Sequence, residues 1–177
     1  MKTSDRTKTM VLCGFYIAVS MILSYIETLI PFNFGVPGIK LGLANLTTVI
    51  ILYTLGWKEA LCVNLIRIIL SGFMFGNMSM IMYSMAGALL SFICMILVKR
   101  TGKTSTMGVS LVGGVTHNIG QLVVAAFALH TLSILYYVPV LIIAGAITGA
   151  LIGYITILVL PAVRRVFGDL YDQSDPE

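Results

Sequence analysis

Residues 106–129 read TMGVSLVGGVTHNIGQLVVAAFAL, a run with no Lys, Arg, Asp or Glu. It is long enough to cross a bilayer as one helix. Within about one turn of its middle it carries His117, Asn118 and Gln121. Each of these side chains loses its water inside such a segment, and partners, a wet cavity or a bound solute must make up the loss. Glu27 and Arg67 lie in two other apolar stretches and pose the same question.

The whole chain resembles this run. It is 58% hydrophobic and 10% charged, with a mean hydropathy of +1.00. Soluble domains are about a quarter charged, so the class is integral membrane. Apolar runs are long and continuous, without the period-two alternation of a barrel, which makes the protein all-α. A length of 177 residues leaves room for about six spans and no soluble second domain. The chain therefore reads as one transmembrane domain over 1–177. Cys13, Cys62 and Cys94 fall in apolar segments without CxxC spacing or a Cys/His cluster. They read as small buried hydrophobes, and no metal or cofactor is expected. The net charge of +4 sits in loops and termini, where membrane topology explains it better than nucleic acid does.

Six spans are expected at about 9–30, 41–55, 58–71, 78–98, 106–129 and 133–160. Pro31–Lys40 forms a loop with two prolines and two glycines, Gly56-Trp57 a tight turn, and Gly72–Asn77 a second loop. Pro161 ends or kinks the last span. Spans two and three are short for a bilayer, so one is broken, barely tilted or shielded by protein. With both termini cytoplasmic, the inner side collects Lys2, Arg6, Lys8, Lys58, Lys99, Arg100, Lys103, Arg164 and Arg165, and the outer side only Lys40. That asymmetry supports an even number of crossings in the cell membrane. No small-residue cleavage site follows the first span, which is expected to stay on the protein.

On this topology the polar residues gather at one depth. Glu27 lies near the outer end of span one, and Asn45 roughly 6 Å below the outer boundary. Arg67 lies about 13 Å from Lys58, near the midplane, with His117 level with it and Gln121 a turn higher. His117 and Gln121 are four apart and share a face that Gly113 continues. Asn64, Arg67 and Ser71 form a second polar stripe and Ser20, Ser24 and Glu27 a third, while Ser84, Gly87 and Ser91 make a small-residue face. The bland alternative is that these groups only satisfy one another and hold helices together. Gly145-xxx-Gly149-xxx-Gly153 permits close backbone packing, and Gly14-xxx-Ala18 is a weaker version of the same pattern.

Two motif matches fail. Thr101-Gly102-Lys103-Thr104 resembles the end of a P-loop, but the first glycine would fall on Leu97 and a helix precedes the segment. Asp169, Asp172 and Asp175 are too widely spaced, and too near the terminus, to hold magnesium against a diphosphate. No nucleophile–base pair emerges, and enzymatic activity is not expected.

The string Pro37-Gly-Ile-Lys-Leu-Gly-Leu-Ala-Asn45, the Arg67 span and Gly113-Gly-Val-Thr-His-Asn-Ile-Gly-Gln121 resemble the Gx transporter family, commonly labelled heptaprenyl diphosphate synthase component I. The resemblance covers nearly the whole chain, and that family is similar to the substrate-binding S components of energy-coupling factor (ECF) transporters. It implies a six-helix bundle with both termini inside, capture of a small solute from the outer side, and energy from a separate T component with two ATPase subunits. It also implies partner docking through a small-residue face of the first helix, where Gly14 and Ala18 stand. In such a site Arg67 and Lys40 would meet an anionic group and Glu27 an amine or hydroxyl. Asn45, His117, Asn118 and Gln121 would supply directional hydrogen bonds, under the loop Pro31–Lys40. Mixed charge favours a polar or zwitterionic solute, while the many Met, Phe and Tyr residues would also suit a ring or an isoprenoid tail. Two rival classes remain: a non-catalytic membrane partner in isoprenoid or quinone metabolism, and a scaffold for a membrane redox assembly.

Overall fold

The computed structural model describes residues 3–29, 42–131 and 133–167. Among them all regular structure is helical: α1 Thr3–Leu29, α2 Asn45–Leu52, α3 Trp57–Phe75, α4 Met78–Arg100, α5 Thr106–Ala128 and α6 Val138–Phe167, the last preceded by a 3₁₀ turn at Ser133–Tyr137. Four stretches are long and apolar enough to cross a membrane: Arg6–Leu29, Met78–Arg100, Thr106–Ala128 and Ser133–Val166. By length and composition they make this a membrane protein.

Local chemistry sets several boundaries. Asn77 is extended, and its side chain accepts from the Met80 N–H at 2.9 Å to start α4. Ser105 does the same for α5 through the Gly108 N–H at 3.3 Å. These caps satisfy N–H groups that a helix start otherwise leaves open. Gly56, at φ 111°, makes the turn between α2 and α3, a conformation that L side chains rarely adopt.

Two apolar clusters fix the relative directions of the helices. One joins Leu12 and Tyr16 of α1, Ile51 and Leu52 of α2, Val63 of α3, Phe92 and Met95 of α4, Val109 of α5 and Ile152 of α6. The other joins Tyr83, Leu122, Ala125, Ile134 and Leu141. Early α5 therefore packs with late α4 and late α6, and late α5 with their beginnings, so these three helices alternate in direction. The first cluster lies toward the basic end. There the Lys99 Nζ donates to the Leu52 carbonyl at 2.8 Å, and the Arg164 Nη2 to the Tyr53 carbonyl at 3.3 Å. Both cations meet carbonyls that the end of α2 leaves unpaired.

The expected span over 41–55, read as short for a bilayer, holds a short helix. Its helix proper is eight residues, about 12 Å at the usual rise, too short to cross the roughly 30 Å hydrocarbon core as a single helix. Gly42 at φ 85° and Gly56 at φ 111° bound it. Thr47 through Leu52 are all buried, so other helices shield α2 from lipid. Span three is longer than its composition indicated. Gly72 is not a loop residue but a helical one, where a Cβ would overlap the Ile81 side chain of α4, and α3 runs on to Phe75. Pro161 does not end α6, which continues to Phe167. The arm beyond it is tied to the end of α2 through Arg164.

Glycines allow α5 to lie against both neighbours. A Cβ on Gly149 would come 2.7 Å from the Ser110 carbonyl and 2.8 Å from the Leu111 Cα. One on Gly153 would come 2.8 Å from the Met107 Cα. On the other side a Cβ on Gly120 would lie 2.8 Å from the Ala86 carbonyl. The 145/149/153 stripe thus serves α5–α6 packing, reinforced by the Ser110 hydroxyl donating to the Gly149 carbonyl at 2.8 Å.

Gly149→Ala is expected to push α5 and α6 apart and to cost about 1–3 kcal/mol, read as a lower thermal midpoint in detergent. Gly14, where a Cβ would meet nothing within 4 Å, is the control. Gly14→Ala should be neutral or slightly stabilising, since alanine is the better helix former by about 1 kcal/mol.

Candidate functional site

The inward face of α1 presents Ser20, Ser24 and Glu27, which are 0%, 2% and 7% exposed. A Glu27 carboxylate oxygen accepts the backbone N–H of Gly42, which ties the entry of α2 to the end of α1. Gly42 is the crossing point of the cluster. A Cβ there would come 2.8 Å from the Asn45 Nδ2 and 3.6 Å from the His117 Cδ2. Its positive φ and this crowding both call for glycine.

Asn64, Arg67 and Ser71, spaced at three and four on α3, are all buried. The Arg67 Nη2 donates to the Asn64 Oδ1 at 2.6 Å and to the Asn45 Oδ1 at 3.1 Å. Arg67 also lies within electrostatic reach of Glu27 and of His117. On α5 the side-chain amide of Gln121 is 3.1 Å from the His117 Nε2. Gly87 lets these two side chains sit flush against α4, because a Cβ there would come 2.8 Å from the Gln121 Cγ and 3.1 Å from the His117 Cε1. Residues from four helices and one turn thus converge on a single buried polar patch.

Several polar atoms in this patch are buried without a hydrogen bond among the described residues: Ser24 Oγ, Arg67 Nε and Gln121 Oε1, while the His117 ring also meets the Gly87 backbone. Leaving such a group unmet costs about 1–3 kcal/mol. A purely structural polar network is expected to close on itself, and among the described residues this one does not. Donors and acceptors are both left over, which suits hydrogen bonding to a polar solute. Among the described residues no group of three or more His, Cys, Asp or Glu side chains could hold a metal ion.

The structure brings together Glu27, Asn45, Arg67, His117 and Gln121 of the residues expected from sequence. Asn118 lies one helical step around from His117, where its Nδ2 donates to the Leu141 carbonyl of α6 at 2.9 Å and its Oδ1 is buried without a hydrogen bond among the described residues. Lys40, with most of the loop expected to cover the site, lies outside the described residues. Gly14 and Ala18 are exposed on the outer face of α1. Ser24, Asn64 and Gly42 belong to the patch although they were not in the expected set. Ser24 and Asn64 were visible in the α1 and α3 stripes, and Gly42 lies within the string Pro37–Asn45 that carries the family resemblance, where it read as the start of span two.

Residues 16–159 match the family model described as heptaprenyl diphosphate synthase component I, and the chain belongs to that family. The matched region takes in every residue of the patch. The description names one component, which implies a partner in a multi-part assembly. The search of curated proteins gave no match, and neither did the search of solved structures.

Asn118→Ala is expected to lower stability by about 0.5–2 kcal/mol through loss of the α5–α6 bond. Arg67→Met should cost more, about 3–5 kcal/mol, because it removes a buried cation within electrostatic reach of the Glu27 carboxylate. Thermal unfolding in detergent checks both. Restoration of the Arg67→Met loss by adding Glu27→Gln would establish that the two side chains are coupled.

Proposed function

We propose that this chain is the membrane-embedded, solute-capturing subunit of an ECF-type uptake system. Its binding site is the patch of Glu27, Asn45, Arg67, His117 and Gln121, with Asn64 behind Arg67. The observation that carries the reading is the set of buried donors and acceptors on Ser24, Arg67 and Gln121 that no described residue meets. Intramembrane ionisable groups mark substrate paths by default, and here two of them share one site with amides. Transport energy comes from a T component and two ATPase subunits. The exposed Gly14 and Ala18 on α1 form part of the surface offered to the T component.

The topology that goes with this reading has six crossings in the cell membrane and both termini in the cytoplasm. Residues 42–56 form the second crossing despite the short helix, because they carry the chain from the Glu27 level to the basic end at Lys99. The excess of Lys and Arg there is the cytoplasmic side by the positive-inside rule.

The family description favours a second reading, in which the chain is a membrane component of a prenyl diphosphate synthase assembly. That reading predicts copurification with a soluble prenyltransferase and needs no polar pocket. Affinity purification in mild detergent separates the two, since the first predicts ATPase and T subunits in its place.

Native mass spectrometry of the wild-type protein is expected to detect a retained small molecule. Arg67→Ala and His117→Ala should reduce that occupancy at least about tenfold, a loss of about 1.4 kcal/mol or more, while leaving a folded, inserted protein. Equal occupancy in all three proteins would remove the site assignment. In a background lacking the native cysteines, Lys103→Cys should react with an impermeant maleimide only after the membrane is opened. His130→Cys should react from outside in intact cells.

A further inference from the structure

We infer that the solute brings a hydrogen-bond donor, an N–H or O–H group, to Gln121 Oε1, and that His117 is the positioning residue that turns this oxygen toward it. The inference rests on the solute-binding reading above and adds a chemical requirement on the solute.

The His117 ring is 3% exposed and lies between α4 and Gln121. A Cβ on Gly87 would come 3.1 Å from its Cε1, and the ring meets the Gly87 backbone. Inside α4 the Gly87 N–H belongs to the helical ladder, while its carbonyl keeps a second lone pair. The ring therefore gives that carbonyl a proton. Its other contact is the Gln121 side-chain nitrogen, 3.1 Å from Nε2. An amide nitrogen only donates, so Nε2 accepts and the ring proton is on Nδ1. Turning the amide over would set Oε1 against a lone pair. An imidazolium would set N–H against N–H. Both ring nitrogens are thus spent on the protein, and His117 acts on the solute through Gln121.

With its nitrogen committed to the ring, the amide presents Oε1 on its other side. Gln121 is 0% exposed, and Oε1 accepts no hydrogen bond among the described residues. Buried acceptors are almost always met. Arg67, within electrostatic reach of His117, leaves its Nε–H open in the same patch. The solute is therefore offered one acceptor and one donor. An amide, a lactam, or a ring nitrogen next to an N–H can answer both. An edge made only of acceptors, such as a carboxylate or a phosphate, leaves Gln121 Oε1 unmet.

Nitrogen NMR of the full chain, labelled on histidine and purified in detergent without a histidine tag, reads the relay directly. The chain has two histidines, and His130→Asn leaves His117 alone at a position whose positive φ asparagine tolerates. The spectrum near neutral pH should show a neutral ring with its proton on Nδ1. Gln121→Met should shift the Nε2 resonance. A proton on Nε2, or on both nitrogens, would overturn the inference. Native mass spectrometry then follows the molecule that copurifies with wild type. His117→Gln, whose oxygen can stand in for Nε2, should keep occupancy within about twofold, while His117→Phe and Gln121→Met should lower it at least about tenfold. Full occupancy in folded His117→Phe would overturn the positioning role, as would a loss in His117→Gln equal to that in His117→Phe. Failure of the solute-binding reading shows itself differently, as no retained molecule or one indifferent to Arg67 and Gln121, whatever tautomer the ring adopts.

Discussion

A guanidinium inside an apolar bundle is tolerated only when its charge and its N–H groups are met, and Arg67 makes the rest of this structure answer to that condition. Asn64 meets it from the preceding turn of α3. Asn45 must come from the first turn of α2, so the chain has to re-enter the bundle at that level. Glu27 must come from the end of α1, and its carboxylate in turn fixes Gly42. The shortness of α2 follows from these demands: its start is held at the polar patch and its end at Lys99 and Arg164. Little chain is left between the two anchors.

Packing and chemistry are divided between faces of the same helices. On α5, Gly114 and Ser110 serve the approach of α6, and Asn118 adds a side-chain bond across that seam. One step around, Gly113, His117 and Gln121 face α4 and the patch, where Gly87 opens room for the ring and the amide. Helix–helix contact in lipid gains little from hydrophobicity and depends on close approach and hydrogen bonds. The glycines of the seam are therefore structural, and the polar atoms of the patch that no described residue meets are not explained by packing. Exposed apolar side chains such as Phe15, Ile22 and Phe127 are what a lipid-facing surface requires.

Much of the site was legible in the sequence because depth and face are set by simple periodicities. The i, i+4 spacing puts His117 and Gln121 on one side of α5, and the same rule aligns Asn64 with Arg67. An alternating topology then brings distant stretches to one level. What was not legible depends on tertiary contact. The sequence of the 41–55 segment does not mark where its helix begins, since that is decided by a positive φ at Gly42 and a carboxylate from another helix. Gly72 reads as loop punctuation, but its missing side chain makes room for Ile81. Asn118 reads with its neighbours as one polar group, but a step of about 100° sends it to the Leu141 carbonyl.

The central claim is that the patch around Arg67 and His117 is a binding site and not a polar staple. An experimental density map of the protein purified from its native membrane, at a resolution that defines side chains, tests this most directly. The account predicts non-protein density, larger than a water, within hydrogen-bonding distance of both Arg67 Nε and Gln121 Oε1. Those same atoms bonded to one another or to the chain, with no such density between them, would contradict it.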